Sequence, residues 1–208
     1  MKFKATAWLV LIATGALLMQ ACSRPLEPQA SCNFVQNPDM QRVAWKNKLP
    51  IRLYLHSSVP VEAYPAFDQA IQEFNSKLGN GQEIFRIIAR GVSGDPNPVK
   101  DGFSTIYWMK TWDPNRPNEQ ARTTIYWMGN EIFEADMRIN AAGFRYSYVE
   151  KPNPTEVDLV SLVVHELGHA LGLAHNATTG SVMNFSLSEG TERRVLGGVD
   201  MASLKCEY

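Results

Sequence analysis

The spacing of apolar positions changes along this chain, and the changes mark its elements. From Leu49 to Leu55 hydrophobic and polar residues alternate loosely, as in a half-buried strand. From Val61 to Leu78 the period lengthens. Phe67, Ala70, Ile71, Phe74 and Leu78 fall on one helical face, Gly79 offers a stop, and Pro65 puts the helix start close to itself. Glu83 to Ala89 reads as a second strand, and Gly91 to Gly102 as a loop of Gly, Pro and Asp. Thr105-Ile106-Tyr107-Trp108-Met109 recurs as Thr124-Ile125-Tyr126-Trp127-Met128. This repeat predicts two neighbouring aromatic-rich strands, with an aromatic ligand platform as the alternative. Ala135 to Asn140 alternates again. Asn153-Pro154-Thr155 then leads into a helix predicted over 156–172, with Thr155 and Asp158 as its capping box. A short last helix is expected from Asp200, with Met201 and Leu204 turned inward. Strands come first and helices cluster later, so the expected class is α+β, without an internal domain boundary.

Composition narrows the function classes. The chain has 208 residues, 45% of them hydrophobic, enough to bury a core. Twenty Lys and Arg against 21 Asp and Glu exclude binding to nucleic acid, or to any polyionic substrate, by bulk charge. The first residues differ from the rest. Lys2 and Lys4 precede Ala5 to Met19, a run of 15 residues without charge. That is short for a membrane span of about 20 residues and suits the apolar part of a secretory signal. Met19-Gln20-Ala21-Cys22 resembles the lipobox of bacterial lipoproteins, although Met19 and Gln20 depart from its usual residues. The resemblance implies a signal peptide at 1–21, and a lipid-modified Cys22 that anchors the chain to a membrane. Plain secretion and an uncleaved anchor are the alternatives. Ser23, rather than Asp, after the cysteine points to the outer membrane of a bacterium with two. Ser23 to Asp39 holds three prolines and many polar residues, so 22–41 reads as a tether and 42–208 as the domain. Cys32 and Cys206 remain. In an exported chain they most simply pair, the alternative being two free thiols.

Three of the four histidines stand close together. In His165-Glu166-Leu167-Gly168-His169 the two imidazoles are four residues apart, on one face of the predicted helix. Both can reach one metal ion, and Glu166 lies beside that ion rather than on it. Gly172 can end the helix in a left-handed conformation and return the chain, so that His175 becomes a third ligand. Three neutral imidazoles and one open position describe a catalytic zinc site. His56 shares no such spacing and reads as structural.

This stretch resembles the extended zinc motif of the metzincin metalloproteases. Ser181-Val182-Met183 stands where that clan has its Met-turn, which makes Met183 an apolar floor beneath the metal. Ala135, Asp136, Met137, Arg138, Ile139 and Asn140 resemble the edge strand that lines the substrate cleft in matrixin-type members. The resemblance implies a twisted mixed sheet with that strand over the cleft, a zinc helix, a Met-turn and a C-terminal helix. It also implies an endopeptidase with one zinc, Glu166 as general base, and a peptide or protein substrate. There are departures. Asn176 follows the third histidine where matrixins usually have Ser. Phe185 stands where other subfamilies carry a metal-binding Tyr. No second histidine cluster and no full pro-domain are visible, which leaves Cys32 as a candidate cap on the zinc. The polar loop Asp113 to Asn118 is a candidate for Ca2+. A non-catalytic, zinc-containing surface binding lipoprotein on the same scaffold is the rival reading. Nothing such as a heptad run points to assembly, so a monomer is expected.

Overall fold

The computed structural model describes residues 27–78 and 81–208. The signal peptide, Cys22 and the Gly79 stop lie outside them. The apolar alternation around Leu53 forms β1 (Ile51–His56), and the helical stripe forms α1 (Tyr64–Leu78), entered through a single 3-10 turn at Val61–Ala63. Pro65 sits in the first turn, where its missing N–H costs no helical bond. Then come β2 (Phe85–Val92), β3 (Ser104–Met109), β4 (Ala121–Met128) and β5 (Glu131–Asn140). The short β6 (Tyr146–Ser147) and β7 (Val157–Asp158) pair with each other. The helices α2 (Leu159–Ala170) and α3 (Gly198–Leu204) complete the chain.

The five-stranded sheet has the order β2-β1-β3-β5-β4, parallel except for the antiparallel β4–β5 pair. One face carries Leu53, Ile106 and Ile139 into the core, against Phe67 and Phe74 of α1 and Leu159 and Leu167 of α2. Each large side chain fully buried there contributes about 1.5–3 kcal/mol. The α+β expectation and the mixed sheet hold.

Four expectations change. First, β3 and β4 are not neighbours, because β5 returns from the Gly129 turn and inserts between them. The repeated pentapeptides therefore share no aromatic platform. Second, Asp158, not Thr155, caps α2, accepting a hydrogen bond from Ser161 N at 3.0 Å. Third, α3 starts at Gly198, two residues before Asp200. Fourth, the segment from Glu27 onward is not a tether. Phe34, Asn37 and Gln41 are buried, Phe34 bridges Leu173, and Val35 N donates to Gly172 O at 2.8 Å. Polar, proline-containing composition hid this packing, because the contacts that dock the segment on the Gly172 turn are long-range.

Cys32 and Cys206 are bridged, 174 residues apart in sequence. Around the bridge, Arg42 and Lys46 both pair with Glu207, at 2.6 and 2.7 Å, and Tyr208 donates to Leu171 O at 2.6 Å. A bridged Cys32 has no thiolate to offer, so it is not a cap on the histidine cluster. Reducing this bridge, or replacing both cysteines by serine, is expected to lower stability by about 2–5 kcal/mol. Urea unfolding with and without reductant measures it, and an unchanged midpoint would contradict the stabilising role.

Candidate metal centre

α2 carries Leu162, His165, Glu166 and His169 towards an open cleft of about 470 Å³. His165 and His169 are one helical turn apart. Their Nε2 atoms lie 3.0 Å from each other, and His175 Nε2 lies 3.1 Å from that of His169. The third imidazole arrives because the helix stops at Gly172, whose φ of +101° few other residues adopt. A Cβ on Gly172 would also overlap the carbonyl oxygen of Val43. The returning strand is held from outside. Ala174 N donates to Asn33 O, and Asn33 Nδ2 donates to Ala174 O, each at 2.8 Å. This amino-terminal segment thus positions the residue next to His175.

The remaining ring nitrogens decide the protonation. His165 Nδ1 donates to Val182 O at 2.7 Å, and His169 Nδ1 to Leu173 O at 2.8 Å. In these tautomers the Nε2 atoms of both rings are bare lone pairs. Burial, and then the neighbouring His169, bring the His165 pKa down to about 3. Burial also lowers His169 and His175. His175 Nε2 converges on the same point, and the bare acceptors of His165 and His169 repel each other unless a cation lies among the three nitrogens. Among the described residues they are the one group of three or more His, Cys, Asp or Glu whose ligand atoms converge in this way. This donor set fits zinc. The Asp113 loop has no such geometry. Asp113 Oδ1 accepts from Asn115 N, and Oδ2 faces Arg116 and Arg122 at 3.9 and 4.0 Å.

Glu166 is 3% exposed beside the histidines. Thr123 Oγ1 donates to its Oε2 at 2.6 Å, and burial pushes its carboxyl up to about 7. Met183 is fully buried against Gly168, where a Cβ would overlap its sulfur. Met183 also belongs to a braced turn. Asp200 accepts from Ser181 Oγ, from Val182 N at 3.0 Å and from Gly197 N at 2.9 Å. The Val182 carbonyl that orients His165 is therefore tied to the start of α3.

Ala135–Asn140 does not border the cleft. It lies in β5, paired on both sides, with Ala135, Met137 and Ile139 in the core. The edge strand at the cleft is β4, whose Ala121, Arg122 and Thr123 line it. Alternation identifies a strand but not its neighbours, so the sequence pattern chose the wrong one. On the opposite wall, Arg193 braces the loop after Met183. Its Nη2 donates to Asn184 O at 3.1 Å and Ser186 O at 2.8 Å. Thr123, Asn33 and Arg193 carried no sequence signal, because each acts through a partner far away in the chain.

A family model described as Matrixin matches residues 90–208, more than half of the chain and all of the histidine site. The chain belongs to the matrixin family. No curated protein matches it. Matrixins are zinc metallopeptidases, and the convergent histidines of this one are compatible with zinc. The matched region begins at Arg90, within β2, so it leaves out the amino-terminal segment that braces this matrixin's third histidine.

Gly172→Ala is expected to cost about 2 kcal/mol or more, from the strained φ and the overlap with Val43 O. It is also expected to weaken zinc binding through His175. Urea unfolding of the metal-free protein and a zinc competition titration read the two effects separately. An unchanged midpoint would show that the Gly172 turn is not constrained as described.

Proposed function

We propose that this matrixin is an endopeptidase with His165, His169 and His175 as zinc ligands and Glu166 as the general base. The reading is carried by one observation: Glu166 and three convergent imidazoles, two of them with bare Nε2 atoms, share a cleft that is bordered by a free sheet edge. Zinc held there supplies Lewis acidity, which lowers the pKa of a water molecule and polarises a carbonyl.

The side chains of the chain supply the rest. Thr123 holds Oε2 of Glu166 and leaves Oε1 to face a water molecule. Glu166 takes a proton from that water as it attacks the scissile carbonyl, and passes the proton to the leaving amine. The outer edge of β4 near Ala121 to Thr123 offers its backbone N–H and C=O groups to an extended peptide. The Asn184 to Leu187 loop, held by Arg193, forms the facing wall. Met183 presses on Gly168 and keeps α2 and the histidines in register.

Glu166→Ala is expected to keep about one zinc per chain and lose on the order of 10²–10⁴-fold in hydrolysis of a quenched peptide library. Metal analysis beside the peptide assay checks it. Full activity in the variant would remove Glu166 from the reaction. Zinc without turnover in the wild type would favour a binding role.

The proposal extends to location: an exported protein anchored by lipid on Cys22, at the outer membrane. The basic start, the uncharged run and the lipobox-like Met19-Gln20-Ala21-Cys22 support it. Cys22→Ser is expected to move the protein from the membrane fraction to the soluble fraction and to abolish incorporation of labelled fatty acid. Unchanged labelling and fractionation would overturn the anchor.

A further inference from the structure

The sheet face turned away from α1 and α2 carries a basic cluster that the cleft chemistry does not use. Arg122 of β4 and Arg138 of β5 are register partners, directly opposite one another. Like charges in that relation repel. Arg122 is neutralised by Glu119, with Nε 2.9 Å from Oε1 and Nη2 also on the carboxylate. The Arg138 side chain has no ion pair or hydrogen bond among the described residues, and its Nε is buried without an acceptor.

Trp112 lies against both guanidinium groups, its ring 5.8 Å from Arg122 Cζ and 5.9 Å from Arg138 Cζ. Its Nε1 is likewise buried without an acceptor. Stacking on an indole stabilises a cation by about 0.5–2 kcal/mol but leaves the in-plane N–H donors unsatisfied. With Asn97, Met109 and Thr111, these three residues line a cavity of about 200 Å³.

The nearby acids do not complete the set. Asp113, also on the cavity wall, is turned to Asn115 N, Arg116 and Arg122. Asp136, two residues before Arg138 on the same strand, accepts from Thr105 N at 3.0 Å, and its other oxygen has no partner. One positive charge thus faces the cavity with unused donors around it.

We propose that this cavity binds one carboxylate or phosphate group, held chiefly by the Arg138 guanidinium with Arg122 and the Trp112 N–H beside it. A planar guanidinium fork matches the paired oxygens of such groups. Arg122 lines both this cavity and the catalytic cleft. The group can therefore come from a free small anion or from an acidic side chain of a peptide lying along β4.

Trp112 is the built-in reporter. The full chain is titrated with inorganic phosphate at constant ionic strength, against chloride, and followed by tryptophan fluorescence and thermal midpoint. A saturable response beyond chloride is expected. Arg138→Gln is expected to weaken it at least about tenfold, as for loss of a charge-assisted bond. Arg116→Gln, exposed on the adjoining loop, is expected to stay within about twofold. Trp112→Phe is expected to lose the fluorescence change and retain a thermal shift. Far-UV circular dichroism confirms that each variant is folded. Should Arg138→Gln fail to fold, Arg138→Lys keeps the charge, loses the fork, and is expected to weaken binding as well. No response beyond chloride, or the same response after substitution of Arg138, would overturn the site. A short glutamate peptide and its glutamine counterpart separate the sources. Displacement of phosphate by the glutamate peptide alone assigns the site to substrate, and displacement by neither assigns it to a free anion.

Discussion

Three imidazole nitrogens within 4.8 Å of one another, with the bare Nε2 atoms of His165 and His169 3.0 Å apart, are the constraint around which this molecule is arranged. Such a cluster is repulsive without a cation, and it holds its shape only because other groups hold the rings. Two backbone carbonyls fix the tautomers of His165 and His169, and each carbonyl comes from a different loop. The Val182 carbonyl depends on Asp200, and the return of His175 depends on Gly172 and on Asn33. The turn after α2, the Met183 turn, the start of α3 and the amino-terminal segment thus converge on one small volume.

The disulfide belongs to the same arrangement. It joins the amino-terminal segment to the residues after α3, and Glu207 gathers Arg42 and Lys46 across the same junction. Both ends of the described chain are thereby fastened behind the metal centre. Phe34 and Val35 lie against the Gly172 turn, so the bridge restrains the very strand that braces the third histidine.

The two faces of the sheet have different chemistry, and β5 shows it residue by residue. Ala135, Met137 and Ile139 enter the core, while Glu134, Asp136 and Arg138 point to the other side. Glu134 there accepts from the N–H groups of Asp101 and Gly102 and fastens the loop before β3. The polar face is therefore structural at one end, and at the other it leaves Arg138 without a partner. The placement of β4 at the edge does two things together. It exposes a free backbone beside Glu166, and it sets Arg122 between the cleft and the basic cavity.

Periodicity determined the helix that carries His165 and His169 on one face, because a repeat of 3.6 residues fixes which side chains lie together, and glycine's freedom at positive φ determined the turn at Gly172. Periodicity also gave α1, the main strands and the mixed class. Only the tertiary structure decided that β4 rather than β5 is the edge, because alternation records burial and not the identity of a neighbour. Likewise, Asp158 rather than Thr155 is the cap because Val157 and Asp158 are held as a strand against β6, so the helix begins only at Leu159. The amino-terminal segment has the composition of a linker, and the contacts that dock it, from Asn33, Phe34 and Val35 to Gly172, Leu173 and Ala174, lie more than a hundred residues away. Contacts of that kind leave no local pattern, and in this matrixin they brace the third histidine.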